Sequence, residues 1–230
     1  MAKNSIRADN LLRARELRKL RSSRPFLNYL DWSKQCIRAG QLILNERIET
    51  SISSLLERAS VITLITAGEV YCRDILNFIF GYCDRDFFAG NLKKIYPEKL
   101  DIAEVIELHD NEIHPLELVA NSLSFQSIQQ IDRVFSLFLD KSLWSTILTR
   151  DYAFAERIED ISDTNILRWE ESDLIKFQEL FDLRHEIVHD PSGTAFFSEE
   201  VLDWMDAGIS MMVGVDLVLS SVIETHKKPT

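Results

Sequence analysis

Apolar residues recur at helical spacing along most of the chain. Ile48, Ile52, Leu55, Ala59 and Ile62 step by four, three, four and three, and the pattern runs on through Leu76 to about Phe80. That period puts roughly one side chain per turn on a common face. It predicts a long helix ending near Gly81, inside a stretch from Phe26 to Tyr96 that holds no proline. Residues 4–21 read as an earlier helix, broken at Ser22-Ser23-Arg24-Pro25 because proline disfavours helix at the residue before it. Asp84–Pro115, with Gly90, Pro97 and Pro115, reads as short helices and loops.

Further on, Phe125, Ile128, Ile131, Val134, Phe135 and Phe138 mark another helix, and 143–166 reads as helix and connector. Ser172 with Asp173 caps a helix running to His189, which Asp190-Pro191-Ser192-Gly193 stops. Ser198, followed by Glu199 and Glu200, starts a last helix reaching about Glu224. Met211, Met212, Phe135 and Phe138 fall at core or interface positions, and no internal repeat is visible. The expected fold is an all-α domain built around two or three long helices and a helical C-terminus.

Composition sharpens this picture. The 230 residues are 46% hydrophobic and 27% charged, too apolar for a disordered chain. A chain of this length hides roughly 70–75% of its unfolded surface, so it builds a core without metal or disulfide. With only 7 Gly and 5 Pro, turn-rich sandwiches and barrels are disfavoured. Cys36, Cys72 and Cys83 form no C-x-x-C pair and read as reduced thiols of a cytoplasmic protein. No signal peptide is visible. The longest apolar run, Ile209–Ile223, is interrupted by Ser210, Gly214 and Asp216, so no membrane span is expected.

Charge is unevenly placed. The net charge is −11, yet residues 1–24 carry Lys3, Arg7, Arg13, Arg15, Arg18, Lys19, Arg21 and Arg24 against Asp9 and Glu16. That segment is +6 and the remainder, residues 25–230, is −17. The division expected is a basic helical arm, 1–24, on a single domain, 25–230. Such an arm steers towards RNA phosphates or an acidic partner, or is simply a solvated helical face.

The residues with chemistry lie in Phe181-Asp182-Leu183-Arg184-His185-Glu186-Ile187-Val188-His189. The apolar stripe of that helix reads Leu174, Phe177, Phe181, Val188, and Arg184 occupies a position where the stripe wants a hydrophobe. His185 and His189 follow Phe181 at one-turn intervals. Burying such groups without partners is costly, which favours a site over a plain core. Two readings share these letters. His185-Glu186-Ile187-Val188-His189 matches the H-E-x-x-H pattern of zinc peptidases. The extended form of that motif fails, with Ser192 in place of Gly and Ala195 in place of a third His; a distant glutamate such as Glu224 could serve as third ligand, but nothing marks it.

The other reading is Arg184-x-x-x-x-His189 with the polar His185 straight after the arginine. This resembles the signature of HEPN-domain ribonucleases. Ser60–Leu76, with Glu69 before Val70 and Tyr71, is similar to that family's long helix bearing a glutamate and an aromatic, and Ser124–Ile131 resembles a segment of the RiboL-PSP-like HEPN branch. The resemblance spans roughly Ile48 to Glu224. It implies a HEPN-like bundle of long antiparallel helices and metal-independent RNA cleavage. The RNA 2′-OH would attack the adjacent phosphate and leave a 2′,3′-cyclic phosphate. It further implies a homodimer with a composite active site, no cofactor, and a toxin or antiphage role restrained by an antitoxin or regulatory protein.

In that reaction His189 is the expected general acid/base, Arg184 the phosphorane clamp, and His185 the group that orients the phosphate or shares the proton work. Arg184 and His189 lie five residues apart, about 140° around an ideal helix, so they do not share a narrow face. Glu69 has two readings: an ordinary ion pair with Arg73, or a carboxylate that orients an active-site His or Arg. A non-enzymatic alternative remains, in which the polar trio is a structural or nucleotide-binding network in a dimeric interaction module.

Overall fold

A computed structural model describes residues 2–20, 24–45, 50–97, 100–150, 152–154, 165–190 and 198–228. The chain is all-α apart from one small ribbon. Four long helices form the body: α2 (Pro25–Asn45), α3 (Thr50–Tyr82), α10 (Glu171–His189) and α11 (Glu199–His226). Pro25, read as a breaker, is the first residue of α2, where its missing N–H costs nothing. The buried face of α2 is Tyr29, Ser33, Cys36, Gly40 and Ile43, again stepping four, three, four, three. Tyr29, near its start, stands against Tyr71 and Gly68 late in α3, so α2 and α3 run antiparallel. The predicted long helix and its end near Gly81 are observed in α3.

Helices α10 and α11 pair in the same way, with Phe177 and Leu180 against Gly208 and Trp169 against Gly214. A Cβ on Gly208 would stand 2.9 Å from Phe177 Cδ2 and 3.0 Å from Leu180 Cδ2. Gly208→Ala therefore overpacks a buried seam. The clash costs about 1–3 kcal/mol, partly offset by about 1 kcal/mol of helix propensity. The expected net loss, read from the urea midpoint, is about 0–2 kcal/mol; a midpoint above wild type would show that the seam has slack.

Smaller elements wrap this body: α4 (Arg85–Ala89), α5 (Leu92–Ile95), α6 (Ile102–Asp110), α7 (Pro115–Ser122), α8 (Ile128–Phe135) with a 3-10 turn at Ser136–Phe138, and α9 (Leu143–Thr149). The expectation of helix and connector over 143–166 needs correcting. Tyr152–Phe154 (β1) pairs antiparallel with Asn165–Leu167 (β2), Tyr152 opposite Leu167. Strands of three residues are too short to display alternation. The cap of α10 also differs: Glu170 is the N-cap, and Asp173 closes a capping box from inside the first turn. Ser198 caps α11 as expected. The predicted stop Pro191-Ser192-Gly193, with Ala195, lies outside the described residues, as does Arg21 of the arm.

Helix α11 supplies Met205, Met211, Met212, Val215, Val218 and Leu219 to the core, and Phe135 and Phe138 are buried with them. Its length and apolar composition would suit a bilayer, but half of its most apolar window is buried here and Asp216 accepts a 2.9 Å hydrogen bond from Tyr71.

The basic segment is α1 (Ala2–Leu20), and it packs against the body. Leu11 joins Leu108, Ile113 and Leu118 in a small second core. Glu117 receives Arg15 through both carboxylate oxygens, at 2.8 and 3.2 Å, and Arg18 at 3.1 Å. Burial alone would raise the Glu117 pKa, but the Arg15 hydrogen bonds and the two positive charges hold it below the usual carboxylate range. A depressed folded value means that the ion pairs stabilise docking above the unfolded carboxylate pKa, and that this is lost as pH falls through the folded value. Glu117→Gln at pH 7 should therefore speed amide exchange in α1, by about 10-fold for a loss of about 1–2 kcal/mol. Unchanged α1 exchange would mean that Leu11 alone holds the arm.

Candidate functional site at the end of α10

The buried stripe of α10 is Phe177, Leu180, Phe181 and Ile187, and Arg184 sits within it. Val188, assigned to the stripe from sequence, is 46% exposed, and Ile187 takes its place. Two adjacent β-branched residues compete for one position, and the 180–184–187 spacing selects the first. Only 17% of the Arg184 side chain is exposed. Opposite it, Glu69 lies on α3 between Ile65 and Cys72, and only 6% of it is exposed.

Glu69 forms the expected ion pair with Arg73, and Arg184 lies nearby. Glu69 Oε2 accepts a 3.1 Å hydrogen bond from Arg73 Nη2, and its Oε1 stands 3.9 Å from Arg184 Nη2. Among the described residues Arg184 makes no hydrogen bond, and the Nε–H groups of Arg73 and Arg184 are sealed from solvent without a partner. Buried donors are almost always paired, so two unpaired ones on adjacent guanidiniums mark a strained, positively charged spot.

His185 and His189 are exposed, with ring centroids 4.2 Å apart and planes at 48°. Neither imidazole bonds to Glu69 among the described residues. Within one chain the candidates thus form two groups. Glu69, Arg73 and Arg184 face the body, and the imidazole pair faces solvent. Among the described residues, two clefts of about 570 and 610 Å³ border α3 on the α1–α2 side, and neither is lined by Arg184, His185 or His189.

Glu186 is exposed, and Glu224 pairs with Lys227 at 2.7 Å. Among the described residues no three His, Cys, Asp or Glu side chains are placed to hold a metal ion. The remaining histidines are accounted for locally: His109 stands 3.6 Å from Asp110 Oδ1, His114 caps α7 by accepting from Leu116 N, and His226 stacks on Phe87 at 3.9 Å. Arg73 was legible in sequence only as a helical neighbour of Glu69. Its place beside Arg184 depends on the packing of α3 against α10. Comparison with protein-family models, with curated proteins and with solved structures gives no match.

Proposed function

We propose that this chain is a metal-independent endoribonuclease of the HEPN type, acting as a homodimer. The observation that carries the reading is the Arg184 guanidinium, held beside Glu69 with no hydrogen bond of its own among the described residues, one residue from a pair of exposed imidazoles in tilted contact. A guanidinium fork fits a phosphorane dianion, and imidazoles move protons near neutral pH.

The 2′-OH loses its proton to one imidazole as its oxygen attacks the adjacent phosphorus. The 5′-oxygen leaves with a proton from the other. The products are a 2′,3′-cyclic phosphate and a free 5′-OH. His189 does the proton work with His185 as its partner, and Arg184 clamps the phosphorane. The two imidazoles are exposed in the single chain, and such chemistry needs water excluded from it. A second copy, bringing its own α10 end across a two-fold axis, supplies the wall that does so. A cognate antitoxin or regulatory protein would restrain the activity in the cell.

RNA incubated in EDTA, with product ends mapped, tests the proposal; wild-type protein should yield cyclic-phosphate termini. The rate should follow a bell around neutrality, one limb for the base and one for the acid. A rate climbing steadily into alkaline buffer would point to hydroxide and away from the histidines.

A further inference from the structure

Glu69 faces two guanidiniums but neutralises one. With Arg73 on its Oε2 and Arg184 near its Oε1, the cluster keeps one net positive charge. No second carboxylate pairs with either arginine among the described residues. Each guanidinium offers five N–H donors in a planar fork. Arg73 uses one of its five on Glu69 and Arg184 uses none, while both Nε–H groups are sealed and unpaired. The side chains are 29% and 17% exposed, so neither arginine is fully enclosed, and each has donors to spare. The two forks sit at opposite oxygens of one carboxylate, where α3 packs against α10, so one polyanion could engage both.

We infer that Arg73 is a second phosphate-binding residue. It takes the phosphate next to the scissile one on a single-stranded RNA, while Arg184 holds the scissile group. Glu69 is the spacer that keeps the two forks apart. Naming the ligand as RNA rests on the ribonuclease reading; the anion site itself rests on the unpaired charge and donors.

The test measures binding of a mixed-sequence single-stranded RNA oligonucleotide by anisotropy across a salt series, in a His189→Ala background that leaves the RNA intact. Arg73→Gln should raise Kd about 10-fold and reduce the salt slope by about 0.7, the value for one lost phosphate contact. Arg73→Lys keeps a point charge but not the fork. It should restore the slope and recover only part of the affinity; should Arg73→Gln fail to fold, this variant carries the test alone.

In parallel, millimolar inorganic phosphate should raise the Tm of the wild type and not of Arg73→Gln. Wild-type RNA affinity in both Arg73 variants overturns the inference, and so does a site that answers to inorganic phosphate alone. The two readings fail separately. RNA cleavage at wild-type KM by Arg73→Gln removes the second contact and leaves the nuclease standing. Arg73-dependent RNA binding with no cleavage by the wild type removes the nuclease and leaves the site.

Discussion

His189→Ala and Arg184→Ala should each reduce RNA cleavage to about a hundredth of the wild-type rate or less, when assayed in EDTA with matched protein concentrations. Positioned proton transfer contributes about 10²–10⁴-fold, and loss of one donor to a developing oxyanion typically costs about 10²–10³-fold. Each factor of ten is about 1.4 kcal/mol of barrier. The histidine variant is the cleaner of the two. His189 is exposed at a helix end and its contact is with His185, so its removal should leave folding stability within about 0.5 kcal/mol. A loss of activity then reads as lost chemistry rather than lost fold.

Arg184→Ala removes one of the two guanidiniums facing Glu69, but Arg73 remains hydrogen-bonded to it at 3.1 Å. The carboxylate therefore keeps a partner, and the variant should stay folded. Residues acting as one unit are non-additive, so the double variant should be scarcely worse than the poorer single. His185→Ala should fall between wild type and His189→Ala, because it shares the proton work without carrying it alone. Cleavage by His189→Ala at the wild-type rate ends the nuclease assignment. The ion cluster would then be read as a structural network in an interaction module.

How far the sequence foretold this arrangement depends on the range over which each signal acts. The length of α3 was readable because thirty-three residues carry many turns of the same period. Arg184 stood out because a charge in an apolar stripe is a local contradiction that needs no tertiary knowledge. The choice between Ile187 and Val188 was not readable, since both are β-branched and one step apart. Neither was the Glu170 cap, because Ser172 is the better cap by propensity and loses only to the capping box that Asp173 closes. Arm docking had a visible half, the basic run. Its other half, Glu117, lies 102 residues from Arg15, and no periodicity reports such a pair. The gap between Arg184 and the imidazoles was visible as 140° of helix. That the arginine turns towards Glu69 is a property of how α3 meets α10.

Glu69→Ala should be the most destabilising change at the site, by about 3 kcal/mol from urea unfolding, since removing one partner of a buried ion pair strands the other. Among the described residues Glu69 is the one carboxylate paired with either guanidinium, so both lose it together. Arg73 Nη2 loses its hydrogen bond, and the already unpaired Arg184 loses the nearest negative charge. For a chain of this size the loss amounts to roughly 6–12 °C in Tm. Glu69→Gln keeps the shape and one acceptor, so it should cost less while still leaving both charges uncompensated. The decisive arm is the triple change Glu69→Leu, Arg73→Leu, Arg184→Met, which removes every charge and refills the space with apolar volume. Buried ion clusters replaced in this way are often neutral or more stable. If the triple variant equals or exceeds wild-type stability while cleaving no RNA, then the cluster is retained at a cost to the fold, and its reason for being there is the anion it binds. If Glu69→Ala unfolds at the wild-type midpoint, the guanidiniums were never relying on that carboxylate, and the geometry assigned to the phosphate site loses its anchor.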